Sequence, residues 1–155
     1  MVSQEEILIR QIIWQEDELQ QVLEIEYMSF NPFDAYQLED FERWYHYNPD
    51  LFLVAEIEGR IAGYVITRIL PDRGDLASLA IHPNYKRRGI ATALLDCTVE
   101  RVKEYNKKQI TLEVRKTNSS ATAFWNKMKF IPFGTQPGFY EDGEEAILMR
   151  KWIEV

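Results

Sequence analysis

The segment Leu76-Ala77-Ser78-Leu79-Ala80-Ile81-His82-Pro83-Asn84-Tyr85-Lys86-Arg87-Arg88-Gly89-Ile90-Ala91 carries the densest chemical signal in this chain. An apolar strand pattern runs into a basic turn, and the turn runs into a helical pattern. A helix N-terminus leaves backbone N–H groups unpaired and carries about half a positive charge. Such an end binds phosphate. Gly89 lets a ligand approach the backbone, small Ala91 leaves room, and Lys86, Arg87 and Arg88 add cations. The spacing is neither Gly-x-x-x-x-Gly-Lys-Ser/Thr nor Gly-x-Gly-x-x-Gly, so a Walker loop and a dinucleotide fingerprint are both absent. Taken alone, the turn reads either as an anion site or as an ordinary basic strand-to-helix connection.

A second candidate is Glu113. Residues Gln109 to Arg115 alternate: Ile110, Leu112 and Val114 share one face, and Thr111, Glu113 and Arg115 share the other. Glu113 is then either part of a solvated strand face or a general base acting directly or through water. An α-amine has a reference pKa of about 7.7–8.0 and a lysine amine about 10.4. A carboxylate therefore needs only to remove or relay the last proton of an α-amine, and a lysine would demand more.

The elements that must position these residues follow from pattern and punctuation. Ile7 to Trp14 reads as a strand, and Asp17 as the N-cap of a helix through Met28. Pro32 breaks that helix at Phe30-Asn31-Pro32-Phe33, and a second helix runs from Ala35 to Tyr47. Leu51–Ile57 and Arg60–Leu70 flank Glu58-Gly59, which is a hairpin spacing. Leu76–His82 is a strand stopped by Pro83. Gly89 opens a helix to Asn106 whose inner stripe is Ala91, Leu94, Leu95, Thr98, Val102 and Tyr105. Asn118 caps a short helix facing inward through Ala121, Phe124, Trp125 and Met128, and strands follow at Phe130–Thr135 and Ala146–Trp152. The order βααβββαβαββ predicts a mixed α/β layer fold in one domain spanning residues 1–155. The strands around Leu76 and Ile110, joined by a helix, should be parallel neighbours.

Composition sets the outer bounds. Hydrophobic residues make up 46% of the 155 positions, enough for a packed core. No apolar run can span a bilayer. The acidic N-terminal residues do not resemble a signal peptide, and the single cysteine, Cys97, excludes an intrachain disulfide; the chain is expected in the cytoplasm. One cysteine and two histidines (His46, His82) argue against a structural zinc site. His82 reads as a turn residue and Cys97 as idle. Net charge −7 argues against general nucleic-acid binding. The charge is uneven: residues 1–60 hold 14 acidic and 3 basic side chains, and residues 71–130 hold 6 acidic and 12 basic. That asymmetry suits an anion at the middle of the chain and a cationic partner at the first third.

Lys86-Arg87-Arg88-Gly89-Ile90-Ala91 resembles the acetyl-CoA signature Gln/Arg-x-x-Gly-x-Gly/Ala of the GNAT (GCN-five-related N-acetyltransferase) superfamily, with Lys86 where Gln or Arg is usual. Lysine still meets a phosphate as a point charge, without the bidentate fork. Downstream, Leu112-Glu113-Val114-Arg115, Asn118, Ala121, Ala123-Phe124-Trp125, Phe130, Gly138-Phe139-Tyr140 and Ala146-Ile147-Leu148-Met149 resemble the RimI-type branch, which acetylates protein N-termini; so does Phe30-Asn31-Pro32-Phe33.

The resemblance implies the GNAT fold, a mixed central sheet with helices on both faces and two splayed parallel strands. It implies acetyl-CoA as donor, with its pyrophosphate on the N–H groups from Arg87 through Gly89, Ile90 and Ala91 to Thr92. Its pantetheine would pair with the backbone of Leu79, Ala80 and Ile81 and meet Asn118. It implies Glu113 as general base. Phe30, Pro32, Phe33, Tyr36, Phe139 and Tyr140 read either as simple packing or as the lining of a peptide slot. Trp125 stands where the branch has a tyrosine that protonates the leaving thiolate. An indole N–H cannot supply that proton at neutral pH, so Trp125 is either a core aromatic or a cofactor contact. Tyr140 or water would then be the acid, or none is needed. No metal and no membrane is implied; the implied acceptor is a protein or peptide N-terminus, with ribosomal proteins among the candidates. The same motifs leave open an acetyltransferase of a small amine or lysine side chain, or a non-catalytic acyl-CoA-binding module.

Overall fold

Alternation along the chain builds a sheet with two apolar faces, and the helices cover both. A computed structural model describes residues 6–153. The reading of an acidic, non-signal N-terminus falls mainly on residues 1–5, outside the described residues. The elements are β1 (Leu8–Gln11), α1 (Glu16–Ser29), α2 (Leu38–Tyr47), β2 (Phe52–Ile57), β3 (Arg60–Ile69), β4 (Gly74–Ile81), α3 (Ile90–Glu104), β5 (Gln109–Arg115), α4 (Ser119–Lys127), β6 (Ile131–Gln136) and β7 (Ala146–Trp152). The seven strands form one sheet in the order β1-β2-β3-β4-β5-β7-β6.

Along β2, Phe52 and Val54 point to one side and Leu53, Ala55 and Ile57 to the other. The first set packs with Val22 and Ile25 of α1 and with Phe41 and Trp44 of α2. The second packs with Ile90, Leu94, Leu95 and Val102 of α3 and with Trp125 of α4. Ile110, Leu112 and Val114 join the α3–α4 side, as their alternation predicts. Among the described residues, no helix is long and apolar enough to cross a membrane.

The β2–β3 hairpin closes at Glu58-Gly59, with φ of 50° and 78°. Two positive φ values give the turn twist that a two-residue hairpin requires. β4 and β5 are parallel neighbours, as the intervening helix predicts.

Several boundaries differ from the sequence reading: β1 is Leu8–Gln11 and not Ile7–Trp14, β4 is Gly74–Ile81 and not Leu76–His82, α3 ends at Glu104 and not Asn106, and three further starts move for visible reasons. Helix α1 begins at Glu16 with Gln15 as its cap, not Asp17. Glu18 accepts the Ile13 N–H at 2.9 Å, while Asp17 accepts from Gln21 on the helix surface. Helix α2 begins at Leu38 rather than Ala35. Asn31 Oδ1 accepts the Phe33 and Asp34 N–H groups, both at 2.9 Å, and the Tyr36 N–H is given to Glu26, so these residues are committed to a turn. The strand predicted from Phe130 starts at Ile131, because Phe130 is buried against Trp125 at 5.1 Å between rings.

Candidate functional site

Parallel pairing of β4 and β5 is confined to Gly74↔Ile110 and Asp75↔Thr111, after which the strands splay. Between Ile66 and Thr67 the β3–β4 register slips, leaving Ala77 as an extra residue. The bulge shows in the side chains: Leu76 packs toward α3, whereas Ala77 and Ser78 both turn toward α1. His82 N–H donates to Ala62 O at 2.8 Å, and Ala80 lies opposite Tyr64. In an antiparallel ladder this register aims the backbone groups of Ala80 at β3 and those of Leu79 and Ile81 at the splay. Of the three residues expected to pair with an added strand-like arm, Leu79 and Ile81 face the opening. Ala80 is a correction, since its N–H and C=O serve β3.

The basic turn lies at the end of β4. Lys86, Arg87, Arg88 and Gly89 are exposed, and Arg87 and Gly89 have φ of 66° and 76°. A Cβ at Gly89 would touch nothing, so glycine serves the left-handed backbone there, not a close contact. No side chain caps α3, so the N–H groups of Ile90, Ala91 and Thr92 point into the turn without a side-chain acceptor. Arg88 stacks on Tyr85 at 5.3 Å. Exposed cations, left-handed backbone and an uncapped 15-residue helix fit a diphosphate. His82 is the turn residue the sequence suggests, with Nδ1 accepting the Asn84 N–H at 3.1 Å.

Glu113 lies two residues past the last β4–β5 pair, on the face of Thr111 and Arg115. That face is not a solvated one. Thr111 is buried; its hydroxyl donates to Asp75 at 2.8 Å and accepts from Arg73 at 3.0 Å, and Arg68 pairs with Asp75. Glu113 is half-buried, and its carboxyl is pushed up to about 7. Burial is the main cause, followed by the charge of Asp75, while Arg68 and Arg73 pull the other way. Its charge in turn raises Tyr36, which burial pushes up to about 12, and Tyr140, held well above the usual phenol range by burial and Asp34. Glu113, Tyr36 and Tyr140 thus share one polar cluster. Both phenols stay protonated at neutral pH and can donate.

Two loops border that cluster. Residues 30–36 present Phe30, Pro32 and Phe33 to solvent, Phe33 at 72% exposure, while Tyr36 is half-buried edge-on to Trp44 at 4.7 Å. In the β6–β7 loop Phe139 is exposed and stacks edge-on with Tyr140 at 5.0 Å. Sequence reasoning missed what joins them. Arg115 donates to Asp34 of the first loop at 2.5 and 2.7 Å, and to Asp142 and Glu144 of the second at 3.0 and 2.5 Å. Its guanidinium lies 4.2 Å from the centre of the Tyr140 ring. The shared face of Glu113 and Arg115 was the available signal. Nothing in the sequence links Asp34 to it.

Asn118 caps α4, with Oδ1 accepting the Ala121 N–H at 3.1 Å, and has its amide nitrogen to offer a ligand. Trp125 is 9% exposed and wedged between Phe124 and Phe130, which is the core placement. Cys97 is half-buried against the α3 side of the core. Among the described residues no group of histidine, cysteine, aspartate and glutamate could hold a metal ion. A carboxylate near neutrality beside a splayed strand pair can take a proton from an amine whose own pKa lies close by.

Known proteins are similar to this chain in sequence and in fold. The chain is 36% identical to an N-alpha-acetyltransferase of Saccharolobus solfataricus over 113 residues, 64% of this chain and 68% of that protein. It is 32% identical over 143 residues to a Bacillus subtilis protein whose name assigns it alanine N-acetylation of ribosomal protein bS18, covering 90% and 91% of the two chains. In structure it resembles Ard1 from Thermoplasma volcanium with a TM-score of 0.87, at 22% identity, over 96% of this chain and 99% of that one. The profile of the acetyltransferase (GNAT) family matches residues 17–130, so the chain belongs to the GNAT family of acetyltransferases, enzymes that use acetyl-CoA as donor.

Proposed function

We propose that this protein transfers the acetyl group of acetyl-CoA to the N-terminal α-amino group of a protein or peptide, with a ribosomal protein among the candidate acceptors. The observation that carries the reading is Glu113, a half-buried carboxyl raised to about 7 beside the β4–β5 splay. The names of the archaeal and bacterial relatives support the same acceptor class.

Bound acetyl-CoA would supply the acetyl group as a thioester. The N–H groups of the turn from Arg87 to Thr92, with Lys86, Arg87 and Arg88, would hold its diphosphate. Leu79 and Ile81 would hold its arm through their backbone, and Asn118 through its amide. A backbone N–H aimed into the splay, of the kind Ile81 offers, suits a carbonyl oxygen that gains negative charge. Glu113 accepts the last proton of the attacking nitrogen. Tyr140, kept protonated, would donate toward the departing sulfur or orient the peptide N-terminus. A thiolate with a reference pKa of about 8.5 leaves readily enough to need little more.

The pKa match favours an α-amine. At pH 7 about a seventh of an α-amine is neutral, against about one part in 2,500 of a lysine amine. Accepting lysine at the same rate would require about 3.5 kcal/mol of additional help. The test is to incubate the protein with acetyl-CoA and peptides varied at their first two residues, and to follow CoA release. Free N-termini should turn over, and the same peptides blocked at the N-terminus should not. Turnover on blocked, lysine-bearing peptides or only on small amines would reject the acceptor class. Binding of acetyl-CoA without turnover on any amine would reject catalysis.

A further inference from the structure

We propose that Arg115 is a positioning residue for the acceptor: it locks the 30–36 loop to the β6–β7 loop and fixes the peptide slot between them. The inference rests on the acceptor reading above, which makes these two loops the walls of the slot.

The arrangement is built around one guanidinium. Nε and Nη2 make a fork on Asp34, 81 positions away in sequence, and Nη1 reaches Asp142 and Glu144 on the opposite loop. The side chain is only 14% exposed. Three carboxylates gathered on one group repel each other unless a cation sits among them. The carboxylates are themselves pinned: Asn31 donates to Asp34 at 3.1 Å, the Glu144 N–H donates to Asp142 at 3.1 Å, and the Thr117 N–H donates to Glu144 at 3.0 Å. The Tyr140 ring lies under the guanidinium, so the same contact sets where its hydroxyl points. Among the described residues, no other hydrogen bond or ion pair joins the two loops. A planar fork that engages carboxylates on two sides and stacks on a ring is work that lysine cannot reproduce.

Arg115→Lys keeps the charge and loses the fork. It should raise the KM for an acceptor peptide at least tenfold and lower kcat by less than the roughly tenfold expected of Tyr140→Phe, because the Tyr140 hydroxyl is misaimed and not removed. The Kd for acetyl-CoA, measured by calorimetry, should stay within twofold. Amide hydrogen exchange should quicken together in residues 30–36 and 137–145 and stay unchanged in α3. Asp34→Asn releases the first loop alone, and keeps the proposal testable if the Arg115 variant does not fold. Its effect on peptide KM should be non-additive with that of Arg115→Lys. A wild type active on peptides whose Arg115→Lys and Asp34→Asn variants keep peptide KM within twofold would overturn this inference alone. Additive effects of the two substitutions would also overturn it. A wild type that acetylates no peptide would overturn both it and the acceptor reading.

Discussion

Glu113→Gln removes the charge of the proposed base and keeps its shape, so it isolates the proton transfer. General-base catalysis contributes about 10²–10⁴-fold, or about 3–5 kcal/mol of barrier. The structure points to the lower end. With the carboxyl at about 7, Glu113 is about half ionised at pH 7. About a seventh of an α-amine is neutral at that pH without any help. We therefore expect kcat to fall about 10²-fold, with the Kd for acetyl-CoA unchanged because Glu113 lies apart from the basic turn.

The pH dependence gives the sharper test. The reactive state needs a neutral amine and an ionised Glu113. Wild-type kcat/KM should rise with a slope near 2 below about pH 7, near 1 up to about pH 8, and then level off. The variant keeps only the amine titration. Its rate should recover about sevenfold between pH 7 and pH 9, as the remaining amine loses its proton. The wild-type advantage should shrink about tenfold from pH 8 to pH 6, as Glu113 takes up its proton. The assay is thiol release at saturating acetyl-CoA across that range. A variant within threefold of wild type, or a ratio that does not move with pH, would refute the base and return Glu113 to a structural role.

Arg87→Glu with Arg88→Glu should raise the Kd for acetyl-CoA at least tenfold, about 1.4 kcal/mol, by calorimetry; both side chains are exposed, so the circular dichroism spectrum should be unchanged. Tyr140→Phe should lower kcat about tenfold, or about 1.4 kcal/mol, since its hydroxyl is held protonated but the thiolate is a fair leaving group; wild-type kcat and KM would exclude both of its proposed roles. Trp125→Phe should cost about 1–3 kcal/mol in urea unfolding by opening space beside Phe124 and Phe130, with the Kd for acetyl-CoA within twofold; a large loss of affinity without loss of stability would make Trp125 a cofactor contact. Glu26 is fully buried under Tyr64, Ser78 and the Tyr36 N–H, and burial raises its carboxyl above 4.5. Its favourable contribution is present below the unfolded value of about 4.5 and is lost as pH rises through the folded one. Glu26→Gln, which stays neutral, should therefore gain relative to wild type in denaturation curves from pH 4.5 upward, and curves that remain parallel would contradict the raised carboxyl.

Much of this was legible because short-range rules decide it. Glu58-Gly59 specifies its turn through positive φ, the Ile110–Leu112–Val114 alternation specifies a face, and a helix between two strands specifies parallel pairing. The basic turn was legible for the same reason: strand, cations, glycine and helix are contiguous. What the sequence hid depends on register and long-range contact. Ala80 could not be told from Leu79 and Ile81 without the bulge at Ala77 and the His82–Ala62 hydrogen bond. The start of α2 depended on Glu26, ten positions earlier, taking the Tyr36 N–H. Asp34 reads as a loop acid until Arg115 reaches it across the sheet. Trp125 kept both readings because helical spacing alone cannot separate a core ring from a ligand contact.

The same face that carries Glu113 explains why its carboxyl is raised to about 7. A carboxyl with an uncommitted arginine beside it is held below the usual range, and a base of that kind would be too weak for an amine. Of the four arginines on or near this face, three have carboxylates or a hydroxyl of their own, and the fourth, Arg150, opposite Thr111 on β7, lies against the rings of Phe133 and Trp152. Arg115 is occupied by Asp34, Asp142 and Glu144, Arg68 by Asp75, and Arg73 by Thr111 and Asp72. Asp75, fixed by Arg68 and Thr111, then adds a negative charge behind Glu113. Burial raises the carboxyl, Asp75 raises it further, and Arg68 and Arg73 draw it down too little to cancel the rise. The ion pairs that hold the loops and the strand edge thus also engage positive charge that would otherwise act on Glu113, the base of the proposed mechanism.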